Sequence, residues 1–292
     1  MRPRVLYFAP GSGLGHLNRA LAVCLELRNL GIAARIVTNS PFAEGIAHAA
    51  RFPITAIASA QWLQDAPAYL AAINPDLAVF DTFPWGLRGE WFRCGIRCVY
   101  MARRLRWQTY LEALGSAGNL DGFARVIVLE PLSADHEQTL NVANDVVRLP
   151  GPVRLRPGAV NTPVPANLQR ILDSGNAWLV VHGGVQSEVD QLIAEAGARK
   201  PEASPLAIVS PWDGAFDYYP ATNLVAQAAH VITGAGYNSM ADMLHRPAHH
   251  TAIAFLRRFD DQAARLAQPR PDQEGTTRAA SAIAELLASK PL

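Results

Sequence analysis

The stretch RVLYFAPGSGLGHLNRALAVCLELRNLGIAARIVTN, residues 4–39, decides the fold. RVLYFA (4–9) is a short run of Val, Leu and aromatic residues, the composition of a strand buried on both faces. The glycine cluster GSGLG (11–15) breaks it. Leu17, Leu21, Cys24 and Leu25 then recur at the spacing of one helical face, and Asn29 with Gly31 supplies the helix stop. AARIVTN (33–39) opens a second apolar run. These pieces make a βαβ unit whose first strand-to-helix turn is rich in glycine.

The same alternation extends outward. Strands are expected at about 54–58, 76–81, 97–102 and 125–130, with helices between them. Residues 149–167 hold five prolines and two glycines without helical period, and read as a linker. The pattern restarts with WLVVHGG (178–184), a helix near 186–197, PLAIVS (205–210) and a helix near 219–228. HVITGAG (230–236), a helix near 237–245 and HHTAIAF (249–255) follow. Helices at about 259–268 and 276–289 finish the chain. Each half opens with an apolar strand and a glycine-bearing turn. The expected fold is therefore α/β, with two Rossmann-like domains facing a cleft: 1–152, a linker at 153–167, and 168–292.

Composition removes several classes. Of 292 residues, 50% are hydrophobic and 17% charged, which excludes a disordered chain. Lys+Arg (26) and Asp+Glu (25) balance, and do so in both halves, so nothing advertises nucleic acid or a polybasic membrane anchor. Lys200 and Lys290 are the only lysines, which leaves anion contacts to arginine and backbone N–H groups. Cys24, Cys94 and Cys98 form neither a disulfide framework nor a zinc set, and a reducing cytoplasm is expected. The amino terminus does not read as a signal peptide, and no apolar run reaches membrane-spanning length.

Five places carry candidate chemistry. In PGSGLGHLNR (10–19) the dinucleotide fingerprint fails, because His16 or Asn18 stands where a third glycine belongs. A phosphate-binding lysine loop fails as well. What remains is a glycine turn presenting His16 at a helix start, either as a proton acceptor or as a cap on a tight turn. In HVITGAGYNSMADML (230–244), the N–H groups and Ser239 at a helix start suit a diphosphate, with Asp242 one turn on; an ordinary capped βα turn reads the same way. AFLRRFDDQAARLA (254–267) crowds Arg257, Arg258, Asp260, Asp261 and Gln262 after the last strand, suiting sugar hydroxyls and phosphates or plain surface ion pairs. His182 ends the strand of HGG (182–184) as a possible phosphate neighbour. Asp81 ends LAVFD and is placed to assist His16, while Arg103, Arg104 and Arg106 follow another strand and suit an anionic acceptor or a solvated face. Trp212, Tyr218 and Tyr219 read as packing, and Trp85, Trp91, Phe92 and Trp107 either as core or as a membrane-facing patch.

Taken together, GSGLGH, HGG, GAGYNSMADML and RRFDDQAARLA, in this order and on these elements, resemble GT-B glycosyltransferases. The similarity is to the family of the bacterial transferase that adds N-acetylglucosamine to the lipid-linked peptidoglycan precursor, and to related predicted glycosyltransferases with a Gly-Leu-Gly-His turn. It covers nearly the whole chain. The resemblance implies inverting, metal-independent transfer from a nucleotide-diphosphate sugar, expected to be a UDP-sugar, to an acceptor hydroxyl, without a bound cofactor. It implies His16, helped by Asp81, as the base, and an acceptor side formed by Gly13, Gly15 and Arg103. It implies a donor site of His182, Gly183, Gly234, Gly236, Asn238, Ser239, Asp242, Arg257, Asp261 and Gln262. The resemblance leaves the acceptor open, a lipid-linked or glycan hydroxyl being the alternatives it suggests, and the protein is expected in the cytoplasm, either free or peripheral to the membrane's inner face. Asp242 departs from the family's usual glutamate, and 185–230 is short of a βα unit. A nucleotide-sugar epimerase of the same fold and a non-catalytic nucleotide-sugar-binding subunit are the rival readings.

Overall fold

The computed structural model describes residues 4–11, 13–90, 95–115, 120–143 and 145–289. Trp91, Phe92, Cys94 and Lys290 lie outside the described residues. The chain divides into two compact units. The first runs to Arg154 and takes in Arg257–Asp261 and the chain from Gln273 onward; the second is Leu155–Leu256 with Gln262–Asp272.

In the first unit strands and helices alternate: β1 (Val5–Ala9), α1 (Leu14–Asn29), β2 (Ala34–Thr38), α2 (Ala43–Ala50), β3 (Ile54–Ala56), α3 (Trp62–Ile73) and β4 (Leu77–Asp81). Then come β5 (Arg97–Ala102), α4 (Trp107–Leu114), β6 (Arg125–Val128), α5 (Ala134–Thr139) and β7 (Val146–Arg148). The seven strands form one sheet in the order β3-β2-β1-β4-β5-β6-β7, every neighbour parallel. All residues of β1 and β4 are buried, which is why these segments are apolar without alternation. The chain builds outward from β1 to β3, then returns to lay β4 on β1's other side. At this reversal the loops leaving the two strands part, and the crevice at their carboxyl ends is where open α/β sheets bind ligands.

The second unit holds α6 (Ala166–Leu172), β8 (Trp178–Val181), α7 (Gln186–Arg199), β9 (Leu206–Val209), α8 (Thr222–Val225) and β10 (His230–Gly234), followed by α9 (Tyr237–Asp242), β11 (His250–Ile253) and α10 (Gln262–Leu266). Its four parallel strands run β11-β10-β8-β9, so its reversal falls between β8 and β10. The helix expected near 219–228 is the single turn α8, in keeping with the shortness of 185–230.

The final helix, α11 (Thr276–Ala288), packs in the first unit rather than with the second half of the sequence. The cause lies in α1, where Leu17, Ala20, Leu21, Ala22, Val23, Cys24, Leu25 and Leu27 are all buried. That is more than one sheet-facing stripe, so a second covering element is needed, and α11 lies against α1. Arg97 Nη1 donates to the carbonyls of Leu286 (2.8 Å) and Ser289 (3.1 Å), and Arg125 to that of Ala282. The Arg97 guanidinium thus satisfies the open carbonyl end of α11, and Arg125 braces the helix one turn earlier. The returning segment crosses the outgoing one tightly: Gly275 N–H donates to the Pro152 carbonyl (2.8 Å), and Arg154 N–H to Thr276 Oγ1 (3.0 Å). β7 precedes the proline-rich stretch as a three-residue edge strand, too short for a sequence period to reveal.

Candidate active site

The turn from β1 into α1 carries His16 two residues into the helix, and β4 ends on Asp81. Adjacency of β1 and β4 brings the two side chains together. His16 Nδ1 and Asp81 Oδ2 are 2.6 Å apart. Asp81 is fully buried, and 16% of the His16 side chain stays exposed. An ionised carboxylate only accepts, so the proton between them sits on His16 Nδ1 and Nε2 is the nitrogen left to act as a base. Arg19, one helical turn on and 1% exposed, donates from Nε to Asp81 Oδ1 (3.1 Å) and from Nη2 to Oδ2 (2.5 Å). Tyr7 OH donates to Oδ1 (3.2 Å) and Thr82 Oγ1 to Oδ2 (3.2 Å).

Burial by itself raises the Asp81 carboxyl, but the Arg19 guanidinium and the His16 hydrogen bond outweigh it and hold it well below the carboxylate range. Burial is also the main influence on His16 and lowers its basicity; Arg19 and Arg103 push the same way, against the pull of Asp81. The start of α1 adds the positive end of a helix. The result is a neutral imidazole in a fixed tautomer, oriented by an ionised carboxylate, an arrangement able to accept a proton at Nε2.

Two further features hold this geometry. Gly11 has φ +153°, and a Cβ there would lie 2.8 Å from His16 Cδ2, so only glycine lets the ring sit against the turn. Thr82 has φ +70°, an unusual state for a β-branched residue. Its N–H donates to the Met101 carbonyl (3.0 Å), its carbonyl accepts from Tyr100 OH (3.1 Å), and its Oγ1 accepts from Arg19 Nη2 (2.9 Å). Such backbone strain beside a buried charged cluster is typical of functional sites. The His16 ring stacks on Phe83 (centroids 5.4 Å), which meets Phe259 (5.8 Å).

In the second unit the reversal between β8 and β10 places His182 beside Gly234. A Cβ on Gly234 would lie 3.0 Å from His182 Cε1, and one on Gly184 only 2.3 Å from Nε2, so these glycines clear space for the ring. His182 Nε2 pairs with Glu188 Oε2 at 2.7 Å, and the ring packs on Phe255 (5.2 Å). Gly183 is exposed, Gly236 caps α9, and Asn238, Ser239 and Asp242 lie half-buried along that helix. Gln262 is buried; its Oε1 accepts the Phe255 N–H (2.9 Å), and its Nε2 lies on the Gly236 side. Arg265 Nη1 donates to the Ala235 carbonyl (3.2 Å), bracing the same turn.

The cluster RRFDDQ is divided. Arg257 and Asp261 belong with Arg103 in the first unit, whereas Gln262 belongs to the second. Asp260 pairs with Arg103 (Nη1 to Oδ1, 3.1 Å), because 259–260 runs beside 105–106: Arg106 N–H donates to the Phe259 carbonyl (2.7 Å). Gly13 precedes α1 and Gly15 lies in its first turn, both half-buried. Arg104 braces a loop instead of facing outward, donating to the carbonyls of Pro131 (2.9 Å) and Leu132 (3.2 Å). Trp107 is buried and Trp85 packs beside it, so neither belongs to a membrane-facing patch. Trp212 corrects the packing expectation: it is 41% exposed, its Nε1–H donating to the Gly184 carbonyl (2.8 Å). Among the described residues, no three His, Cys, Asp or Glu side chains converge as a metal site would require, and no helix is long and apolar enough to cross a membrane.

Sequence reasoning passed over Arg19, Tyr7, Thr82, Glu188 and Arg265. Arg19 and Glu188 carried a signal, Arg19 lying one turn after His16 on the same helix and Glu188 on the helix that follows His182.

Two parallel sheets of Rossmann type, each with its reversal point furnished with a histidine and a glycine turn, define the GT-B class of fold. Solved structures bear this out. The glycosyltransferase SsfS6 of Streptomyces sp. SF2575, complexed with thymidine diphosphate, matches with TM-score 0.57 at 12% identity, over 87% of this chain and 82% of that one. The glycosyltransferase SnogD of Streptomyces nogalater matches with TM-score 0.57 at 15% identity, over 98% and 100%. CalG4, the calicheamicin glycosyltransferase, matches with TM-score 0.53 at 18% identity, over 99% and 91%. No protein-family profile and no curated protein matches the sequence.

Proposed function

We propose that the chain is a glycosyltransferase that moves a sugar from a nucleoside-diphosphate sugar to an acceptor hydroxyl with inversion at the anomeric carbon. The observation that carries the reading is the buried Asp81–His16 pair at the β1/β4 reversal. His16 Nε2 takes the proton of the acceptor hydroxyl as its oxygen bonds to the anomeric carbon. The bond from that carbon to the diphosphate oxygen breaks, and its electron pair leaves with the nucleoside diphosphate. Asp81 keeps His16 Nδ1 protonated and stabilises the imidazolium as it forms. The transition state is oxocarbenium-like, by analogy with glycoside hydrolysis.

Donor binding in the second unit is assigned to His182, Gly183, Gly234, Gly236, Asn238, Ser239, Asp242 and Gln262. Backbone N–H groups and arginine neutralise the leaving diphosphate without a metal. Gly13, Gly15 and Arg103 are assigned to the acceptor side. The donor nucleotide is a pyrimidine: the motif resemblance favours uridine, and the thymidine diphosphate held by a structure of similar fold favours thymidine. Kinship with the peptidoglycan-precursor transferase family rests on the four motifs alone.

The test is nucleoside-diphosphate release from UDP- and TDP-sugars against a panel of hydroxyl acceptors. Acceptor-dependent release that His16→Ala abolishes, with donor Kd unchanged, is the expected result. Near-normal transfer by His16→Ala would sink the base assignment. Turnover of the sugar without any acceptor would favour the epimerase.

A further inference from the structure

Asp81 is asked to do more than orient a histidine. Its Oδ2 accepts from His16 Nδ1 at 2.6 Å and from Arg19 Nη2 at 2.5 Å, while Arg19 Nε takes Oδ1 at 3.1 Å. Arg19 Nη2 is also 3.3 Å from His16 Nδ1. Both atoms carry hydrogen, so that approach is not a hydrogen bond but the meeting of two donors at one acceptor oxygen. A guanidinium with five donors in a rigid fork has little reason to be 1% exposed unless the carboxylate it grips matters. The charge on Asp81 is already neutralised before His16 gains any of its own.

We infer that Arg19 is a positioning residue that competes with His16 for Asp81, so that the base is held in register by a carboxylate whose charge is largely spent on the guanidinium. This rests on the reading of His16 as the base. Two consequences follow. The imidazolium that forms when His16 takes a proton is stabilised less than it is beside an unshared carboxylate, so it passes the proton on readily. The imidazole also stays neutral, and therefore usable, in mildly acidic solution.

Of the described charged and titratable groups that face His16, Arg19 and Arg103 oppose the imidazolium and Asp81 favours it. Tyr7 from β1 is neutral, since burial first and the Asp81 charge second raise its hydroxyl well above the usual range. Arg19 from α1 and Arg103 after β5 both disfavour the imidazolium, and Arg103 is itself paired with Asp260. Asp81 from β4 alone favours it, and Arg19 is the group that occupies Asp81.

The experiment titrates the His16 ring by NMR in the full-length protein, its signals assigned by their loss in His16→Gln. Arg19→Gln removes the charge, and Arg19→Lys keeps the charge but loses the fork. The His16 pKa is expected to rise by about one unit or more in Arg19→Gln, and to stay with the wild type in Arg19→Lys. No rise in Arg19→Gln, or an equal rise in both variants, would overturn the inference and leave Arg19 a brace. The acid limb of the turnover profile separates the two claims. If the ring's pKa rises in Arg19→Gln and the acid limb rises with it, both stand. If the pKa rises and the limb does not, Arg19 tunes His16 but His16 is not the base.

Discussion

Asp81→Asn is the substitution on which the site bears most heavily. The carboxylate accepts five hydrogen bonds, from His16, Tyr7, Thr82 and two nitrogens of Arg19, and none of it reaches solvent. An amide of the same shape keeps one accepting oxygen and presents an NH2 to the other donors. Arg19 stays charged and buried but loses the carboxylate that two of its nitrogens grip. Removing one partner of such a pair costs about 3–5 kcal/mol, because the remaining charge is stranded. That is a large share of the about 5–15 kcal/mol that holds a folded protein together, so the variant folds but unfolds at lower urea. Turnover falls further than stability: without the acceptor at Nδ1 the histidine loses its tautomer, a defect worth on the order of 10^4 in hydrolytic triads. Urea unfolding at neutral pH reads the first effect and nucleoside-diphosphate release the second, with donor Kd as the control. The double variant Asp81→Asn with Arg19→Met strands no charge and is expected to regain part of the lost stability. A loss below about 1 kcal/mol in the single variant would refute the pairing argument. So would a double variant less stable than the single one.

Three other outcomes are expected. Gly11→Ala places a Cβ 2.8 Å from His16 Cδ2 at a backbone φ of +153°, and so displaces the ring and strains the turn; turnover should fall about 100-fold and stability by about 1 kcal/mol or more, and wild-type turnover would show that the ring is not held as described. Gly151→Ala drives a Cβ to 1.7 Å from the Gln273 carbonyl oxygen, where two backbone segments cross, and is expected to abolish soluble expression or lower Tm by well over 10 °C; a change of a few degrees would contradict that crossing. Burial lowers both His136 and His250 to about 3, so each folds neutral and must charge on unfolding in acid. Their contribution is whole above the unfolded value near 6.5 and declines by about 1.4 kcal/mol per pH unit per histidine down to about 3. The Asp81 contribution is whole above its unfolded value near 3.8 and is lost as pH falls below that. Tm should therefore drop between pH 6.5 and 4.5, and a flat profile there would contradict the neutral burial of these rings.

The sheets were the most legible part of the molecule. Parallel strands buried on both faces are written as unbroken apolar runs, so β1, β2, β4, β5 and β6 could be read directly, as could β8 to β11. The pairing of His16 with Asp81 was readable as well, once each stood at the carboxyl end of a strand. The path of the chain's end was not legible. α11 has the ordinary stripe of an amphipathic helix, and nothing in that stripe says which sheet it covers. The excess of buried residues on α1 held the answer, but the four-residue spacing of Leu17, Leu21 and Leu25 drew attention to one face only. RRFDDQ read as a single polar cluster because sequence proximity is no guide where the chain passes from one unit to the other between Asp261 and Gln262. Arg19 has no legible role in the sequence of the turn, since an arginine on a helix is ordinarily a solvated residue. Its burial is a tertiary fact created by Asp81, which lies 62 positions further along the chain.

The most direct test of the central claim is a calorimetric titration of the full-length protein with UDP, TDP, GDP and ADP in the presence of EDTA. The account predicts saturable binding of one or both pyrimidine diphosphates, unchanged in His16→Ala and weakened in Asp242→Ala. Absence of binding to all four, by a protein that unfolds cooperatively, would contradict it.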